Sequence, residues 1–286
     1  MKRSKQFANL LKQNLTKNHK LFLFIAALFF SSLMVLGNTY AWLTAEDDKE
    51  NHFEGGILSV EIIEDFEQVN QWRPARTEKK LVKAKNIGSV PSFVRLSFYE
   101  YIALFKIDTT DQTGNGHLLT VPNEKAPTLI YENKETWKAA ATANGTYDAG
   151  GTFYVVKDAY ISDKTTGTDM FKMNDSQREN SLLKWFKLNV SEDVYLSKPA
   201  TGTKNYWLYK DGYFYYSEVL ESGQTTSAVL NDVTLSASAP NSYKGSVYEI
   251  DVELDAHDTT KTIVSAWNIS ETGEIYEMYK EFIKNK

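Results

Sequence analysis

"SVYEIDVEL", residues 246–254, decides the fold class of this chain. Tyr248, Ile250, Val252 and Leu254 fall on one face, and Glu249, Asp251 and Glu253 on the other. Period-two alternation of this kind marks a half-buried antiparallel strand. The pattern recurs along the chain. "GGILSVEII" (55–63) places Leu58, Val60 and Ile62 together, and "KKLVKAKN" (79–86) alternates lysine with Val82 and Ala84. "SFVRLSFYEY" (92–101) sets Val94, Leu96 and Phe98 against Phe93, Arg95 and Tyr99. "YWLYKDGYFYYSEVL" (206–220) reads as a hairpin, because Asp211-Gly212 suits a tight turn that needs positive φ. Ile87-Gly88-Ser89 and Ser222-Gly223 punctuate the other runs.

Many short strands with few helices predict a mainly β chain, a jelly-roll-like antiparallel β-sandwich. Residues 102–205 differ. They are rich in Thr, Asn, Asp and Gly, with one helix expected near 132–141 and another after Asn174, using Leu182, Leu183 and Phe186. This stretch is read as a mixed, partly helical insertion in the sandwich. Ile275, Met278, Tyr279, Phe282 and Ile283 recur at helical spacing and predict a short C-terminal helix.

The N-terminus carries a different signal. Six basic residues and no acidic one lie within 1–41. An apolar run, "LFLFIAALFFSSLMVL" (21–36), follows Lys20. As a helix it would be about 24 Å long, short of a bilayer core of about 30 Å. Thr39 and Ala41 fit the small-residue positions of a signal-peptidase site, so cleavage is expected after Ala41, leaving Trp42 first. The domain reading is therefore a signal peptide over 1–41 and a single β-sandwich domain over 42–286. Removing the six leaves 26 basic against 37 acidic residues, a balance of −11. An acidic body argues against nucleic acid as a partner. It also predicts that mild acid favours self-association, by weakening the repulsion.

Chemistry is sparse. There is no cysteine, which removes disulfides, thiol nucleophiles and Cys-zinc sites. His19, His52, His117 and His257 stand alone, with no HExxH spacing. No GxSxG elbow or phosphate-cradling glycine loop is present. "DTTDQTGNGH" (108–117) is oxygen-rich, but its twelfth position is Leu119 instead of a bidentate Glu. "YKDGYFYY" (209–216) resembles part of a choline-binding repeat, yet it occurs once. No catalytic residue, metal or cofactor is expected.

Three blocks carry a resemblance. "TYAWLTAEDDKENHFEGGILSVEI" (39–62) has an aromatic-Ala step, a charged spacer and Phe53, Gly56 and Leu58 in a Phe-x-x-Gly-x-Leu strand. "WRPARTEKKLVKAKNIGSVPSFVRL" (72–96) offers Trp-x-Pro, a Lys-rich strand, an Asn-x-Gly-Ser turn and a Val-Arg strand, with Ala75 where the pattern has glycine. The third block is "DGYFYYSEVLESGQTTSAVLNDVTL" (211–235) with the "VYEIDVELDA" and "SAW" ending. In this order they resemble the TasA/camelysin family of Gram-positive exported proteins.

The resemblance implies a jelly-roll subunit cut by a SipW-like signal peptidase, after transient membrane contact, and released to the cell surface or a biofilm matrix. It implies a partner that is a second copy of the chain, in a homo-oligomer or fibre. Trp42, Leu43, Thr44 and Ala45 are then the assembly segment, an apolar end on a charged tether. The expected function is a non-enzymatic matrix fibre or accessory subunit. The alternatives are a camelysin-like surface metallopeptidase and a glycan- or choline-binding adhesin.

Overall fold

The computed structural model describes residues 56–65, 72–110, 116–178 and 180–284, with Asp175 by its backbone alone. The chain divides into Met1–Gly55 and Gly56–Lys286, and every described residue belongs to the second unit. The strands are β1 (Val60–Asp65), β2 (Thr77–Asn86), β3 (Ser92–Phe105), β4 (Thr120–Val121), β5 (Thr146–Asp148) and β6 (Phe153–Ile161). They continue with β7 (Phe186–Val190), β8 (Val194–Tyr195), β9 (Trp207–Lys210), β10 (Tyr213–Tyr216), β11 (Leu230–Leu235) and β12 (Val247–Asp258). The helices are α1 (Glu135–Ala143), α2 (Ile263–Ala266) and α3 (Glu274–Tyr279).

The strands form two open sheets. One runs β1-β2-β11-β7. The other runs β4-β6-β3-β10-β9-β8, with β12 also on β3 and β5 also on β6. Neither sheet closes or curls, and β8 pairs with β9 in parallel. The expected jelly-roll-like antiparallel β-sandwich is therefore corrected to a mixed β-sheet fold with some helix. The physical reason is that period two assigns each side chain to a face but leaves strand neighbours open. Here β6, from the middle of the chain, pairs with Tyr101–Phe105 and branches the large sheet.

Strand β3 is the spine. It is buried along almost its whole length, on both faces. Leu96, Phe98, Ile102 and Leu104 join a core shared with Val82, Ala84, Leu230 and Val233 of the smaller sheet. Tyr99, Tyr101, Ala103 and Phe105 face a second cluster with Trp137 and Ala140 of α1. Phe93 enters a third, with Ile263, Trp267 and Tyr279 from the C-terminal helices. Each large apolar side chain so buried contributes about 1.5–3 kcal/mol, which ties the helices to the sheet.

Local chemistry sets the boundaries. Asp211 (φ 51°) and Gly212 (φ 91°) close the two-residue turn between β9 and β10, with Lys210 opposite Tyr213. Asn86 is buried at the end of β2. Its amide donates to the carbonyls of Val90 and Leu220, and its Oδ1 accepts from Gly88 N at 2.8 Å. A Cβ on Gly88 would lie 2.1 Å from the Ile57 carbonyl oxygen, so only glycine lets these strands approach. Helix α1 starts at Glu135, where Asn133 Oδ1 accepts from its N–H. The second expected helix appears as two 3₁₀ turns, Asp175–Gln177 and Leu183–Trp185, because Phe186 already enters β7. The C-terminal helix stops at Tyr279, with Ile275, Met278 and Tyr279 buried and Phe282 exposed.

Candidate functional site

Thr39, Ala41 and Trp42 of the cleavage site, and Trp42, Leu43, Thr44 and Ala45 of the assembly segment, lie outside the described residues. The apolar run over 21–36 lies outside them as well. Among the described residues no helix is long and apolar enough to cross a membrane.

The site that the topology offers is a sheet edge. β12 pairs with β3 in register from Val247↔Ala103 to Asp258↔Ser92. The other flank of β3 is taken by β10 at Arg95–Ser97 and by β6 at Tyr101–Phe105. Strand β12 therefore has one sheet neighbour among the described residues, and its far side is an edge. Twelve residues of strand extend about 40 Å. An edge of that length presents a row of backbone groups that another strand can complete.

The face of β12 that the alternation predicts to be polar carries Glu249, Asp251, Glu253 and Asp255. Three cations meet them. Lys134 bonds Glu249 at 2.6 Å, Lys164 bonds Asp251 at 2.5 Å and also Glu253, and Arg95 bonds Asp255 at 2.7 Å. Each cation also lies over an aromatic ring: Lys134 over Tyr131, Lys164 over Tyr99, and Arg95 over Tyr213. Burial works to lower the Lys164 pKa, but the hydrogen bonds that its ammonium donates to Asp251 and Glu253 outweigh it and hold it above the ordinary lysine value. This arrangement spends the acidic row internally, and it staples the segments around Lys134 and Lys164 to the sheet.

A second polar group lies inside the core. Arg178 forks onto Glu100 through Nε (3.1 Å) and Nη2, while Nη1 donates to the Phe186 carbonyl at 2.5 Å. Tyr248 donates to Glu100 Oε1 at 2.5 Å and stacks on Phe186 with ring centroids 3.9 Å apart. β3, β7, β12 and the 3₁₀ segment are thereby joined at one point. Neither Glu100 nor Arg178 stood out in the sequence, because a single charge in an apolar run is read only once its partner is known.

The aromatic hairpin has its own cation. Arg95 sits 4.1 Å from the Tyr213 ring centroid and 4.7 Å from that of Trp267. The Tyr213 ring of the hairpin is thus engaged by a guanidinium of the same chain. His257 lies 2.9 Å from the Asp258 carbonyl through Nδ1, and His117 is exposed. Among the described residues no group of three or more His, Cys, Asp or Glu is placed to hold a metal ion. In the oxygen-rich loop over 108–117, Asp108 accepts from the N–H and hydroxyl of Thr110 at 2.8 and 2.6 Å, and residues 111–115 lie outside the described residues.

No protein-family model matches this chain, and no curated protein matches it.

Proposed function

We propose that the chain is exported, loses residues 1–41, and acts outside the cell as a non-enzymatic structural subunit, a matrix fibre or accessory protein. Its partner in this reading is a second copy of itself. The mature N-terminal segment beginning at Trp42-Leu43 adds to a sheet edge of the neighbour.

The observation that carries the proposal is the edge of β12, a long strand with a single sheet neighbour among the described residues. Strand addition at such an edge draws affinity from main-chain hydrogen bonds and specificity from alternate side chains. Ala75 gives further support. The resembled family has glycine at this position, and here the backbone adopts φ 68°, the region that glycine favours.

The test is electron microscopy of purified protein beginning at Trp42. Filaments or regular oligomers are expected, and removal of residues 42–46 should abolish them. Assembly that persists unchanged in the deletion rules out this role for the segment. A mature protein that stays monomeric at every concentration rules out the subunit reading itself.

A further inference from the structure

A cleft of about 420 Å³ opens beside Phe105, at the end of β3. Its size falls within the range of small-ligand sites, about 300–1,000 Å³. Phe105, Tyr147 and Tyr154 line it. Their rings stand together, Phe105 lying 5.6 Å from Tyr147 and 5.9 Å from Tyr154 between centroids. Arg73, Lys244 and His117 make up a second stretch of its wall.

Backbone chemistry holds this wall. Asp108 N donates to the His117 carbonyl at 2.8 Å, and Leu119 N donates to the Lys106 carbonyl at 2.7 Å. Gly245 N donates to the Trp72 carbonyl at 2.7 Å, which brings the Lys244 turn beside Arg73. Gly245 has φ 76°, and a Cβ there would lie 2.3 Å from Leu118 Cδ1. Glycine suits both this left-handed turn and the close approach of Leu118.

Two features select a ligand. The first is charge. The body over 42–286 is acidic by 11, yet this cleft brings Arg73 and Lys244 together with one carboxylate, Asp108. Asp108 is already engaged by Thr110. Among the described residues Arg73 makes no ion pair. The second feature is hydroxyls. Thr120, Tyr147 and Tyr154 also line the cleft, and among the described residues their hydroxyls make no hydrogen bond within the protein. Tyr147 is only 7% exposed, so most of its ring is packed into the protein.

We infer that this cleft binds an anionic sugar, a hexose ring bearing a carboxylate or a phosphate. Arg73 and Lys244 take the anionic group by charge-assisted hydrogen bonds. The hydroxyls of Thr120, Tyr147 and Tyr154 exchange hydrogen bonds with those of the sugar. The ring lies against the aromatic wall. This site does not depend on assembly or on cleavage at Ala41.

Calorimetric titration of the full 286-residue chain in a polyoxyethylene detergent tests it. The probes are glucuronate, glucose 6-phosphate, glucose, inorganic phosphate and adenosine monophosphate. At least one anionic sugar should bind saturably, at least about tenfold tighter than glucose or phosphate alone, as expected for a charge-assisted contact. Which of the two binds identifies the anionic group. Arg73→Glu and Lys244→Glu should each abolish that preference, and Tyr147→Phe and Tyr154→Phe should weaken binding while keeping the fold. Lys210→Glu, at the hairpin turn, should change nothing. Glucose or free phosphate binding as well as the anionic sugars overturns the proposal. So does unaltered binding in Arg73→Glu and Lys244→Glu, or no binding of either anionic sugar. Tighter binding of the nucleotide overturns the sugar assignment in favour of an aromatic base.

Discussion

Tyr248 and Arg178 converge on one carboxylate. The phenol donates to Glu100 Oε1 at 2.5 Å, and the guanidinium spans both oxygens of the same group. All three side chains are buried. A carboxylate in that position is tolerable only because two strong donors meet it.

Breaking the pair from one side should therefore cost more than removing it. Arg178→Met leaves Glu100 buried without its counter-charge and is expected to destabilise the chain by about 3–5 kcal/mol. Joining it with Glu100→Gln should recover part of that loss, because no buried charge remains. Urea denaturation of the two variants checks this. Equal destabilisation in both would show that the ion pair itself is immaterial.

Alkaline pH should unfold the protein through its tyrosines. Burial first, then the charge of Glu100, pushes the Tyr248 phenol well above its ordinary value, and burial does the same for Tyr279. Tyr101 and Tyr243 are pushed up to about 12, again chiefly by burial. Their folded pKa values exceed the unfolded value near 10. The stabilisation they contribute is thus fully present below pH 10 and is lost as pH rises through the folded values. Absorbance at the phenolate band should rise in two phases, exposed tyrosines first and the buried group together with loss of circular dichroism. A single phase near pH 10 with the fold intact contradicts this.

Ala75 occupies a turn that asks for another residue. Arg76 N donates to the Arg73 carbonyl at 3.0 Å, Pro74 stands second, and Ala75 in third place has φ 68°. That is a type II turn, whose third position favours glycine. Ala75→Gly should raise stability by about 1 kcal/mol, relief of left-handed strain outweighing the added chain entropy. A lower thermal midpoint for Ala75→Gly would refute this account of the turn.

Ser246 offers the opposite kind of test. Its Oγ and the Trp72 indole nitrogen are buried with no hydrogen-bond partner among the described residues. An unsatisfied buried hydroxyl costs about 1–3 kcal/mol. Ser246→Ala removes it with little change of shape, so the midpoint of denaturation should rise. A fall would mean that the hydroxyl is satisfied in solution by bound water.

Much was legible in the residues alone. Alternation put Tyr248, Ile250 and Val252 inside, where burial confirms them, and Asp211-Gly212 marked the hairpin turn. It also placed Glu249, Asp251 and Glu253 away from that core, although the lysines that meet them, Lys134 and Lys164, lie far away in the chain. The helix expected after Asn174 was misread because apolar residues at 182, 183 and 186 fit a short turn leading into a strand as well as they fit a helix. The cleft was not legible. Arg73, His117, Tyr147 and Lys244 have no shared spacing, and the loops that assemble them are ordinary turns in sequence.

The division follows from the range of the forces. Side-chain periodicity, glycine conformation and turn chemistry act within a few residues, so the sequence by itself determined that the chain is largely β and where its strands face. Strand order depends on pairings between residues far apart, such as Leu104 with Asp158 or Leu235 with Phe186. Only the tertiary structure decided that the sheets stay open, that β12 ends at an edge, and that Glu100 meets Arg178. Those outcomes turn on which distant surfaces exclude water together, and no local pattern encodes that choice.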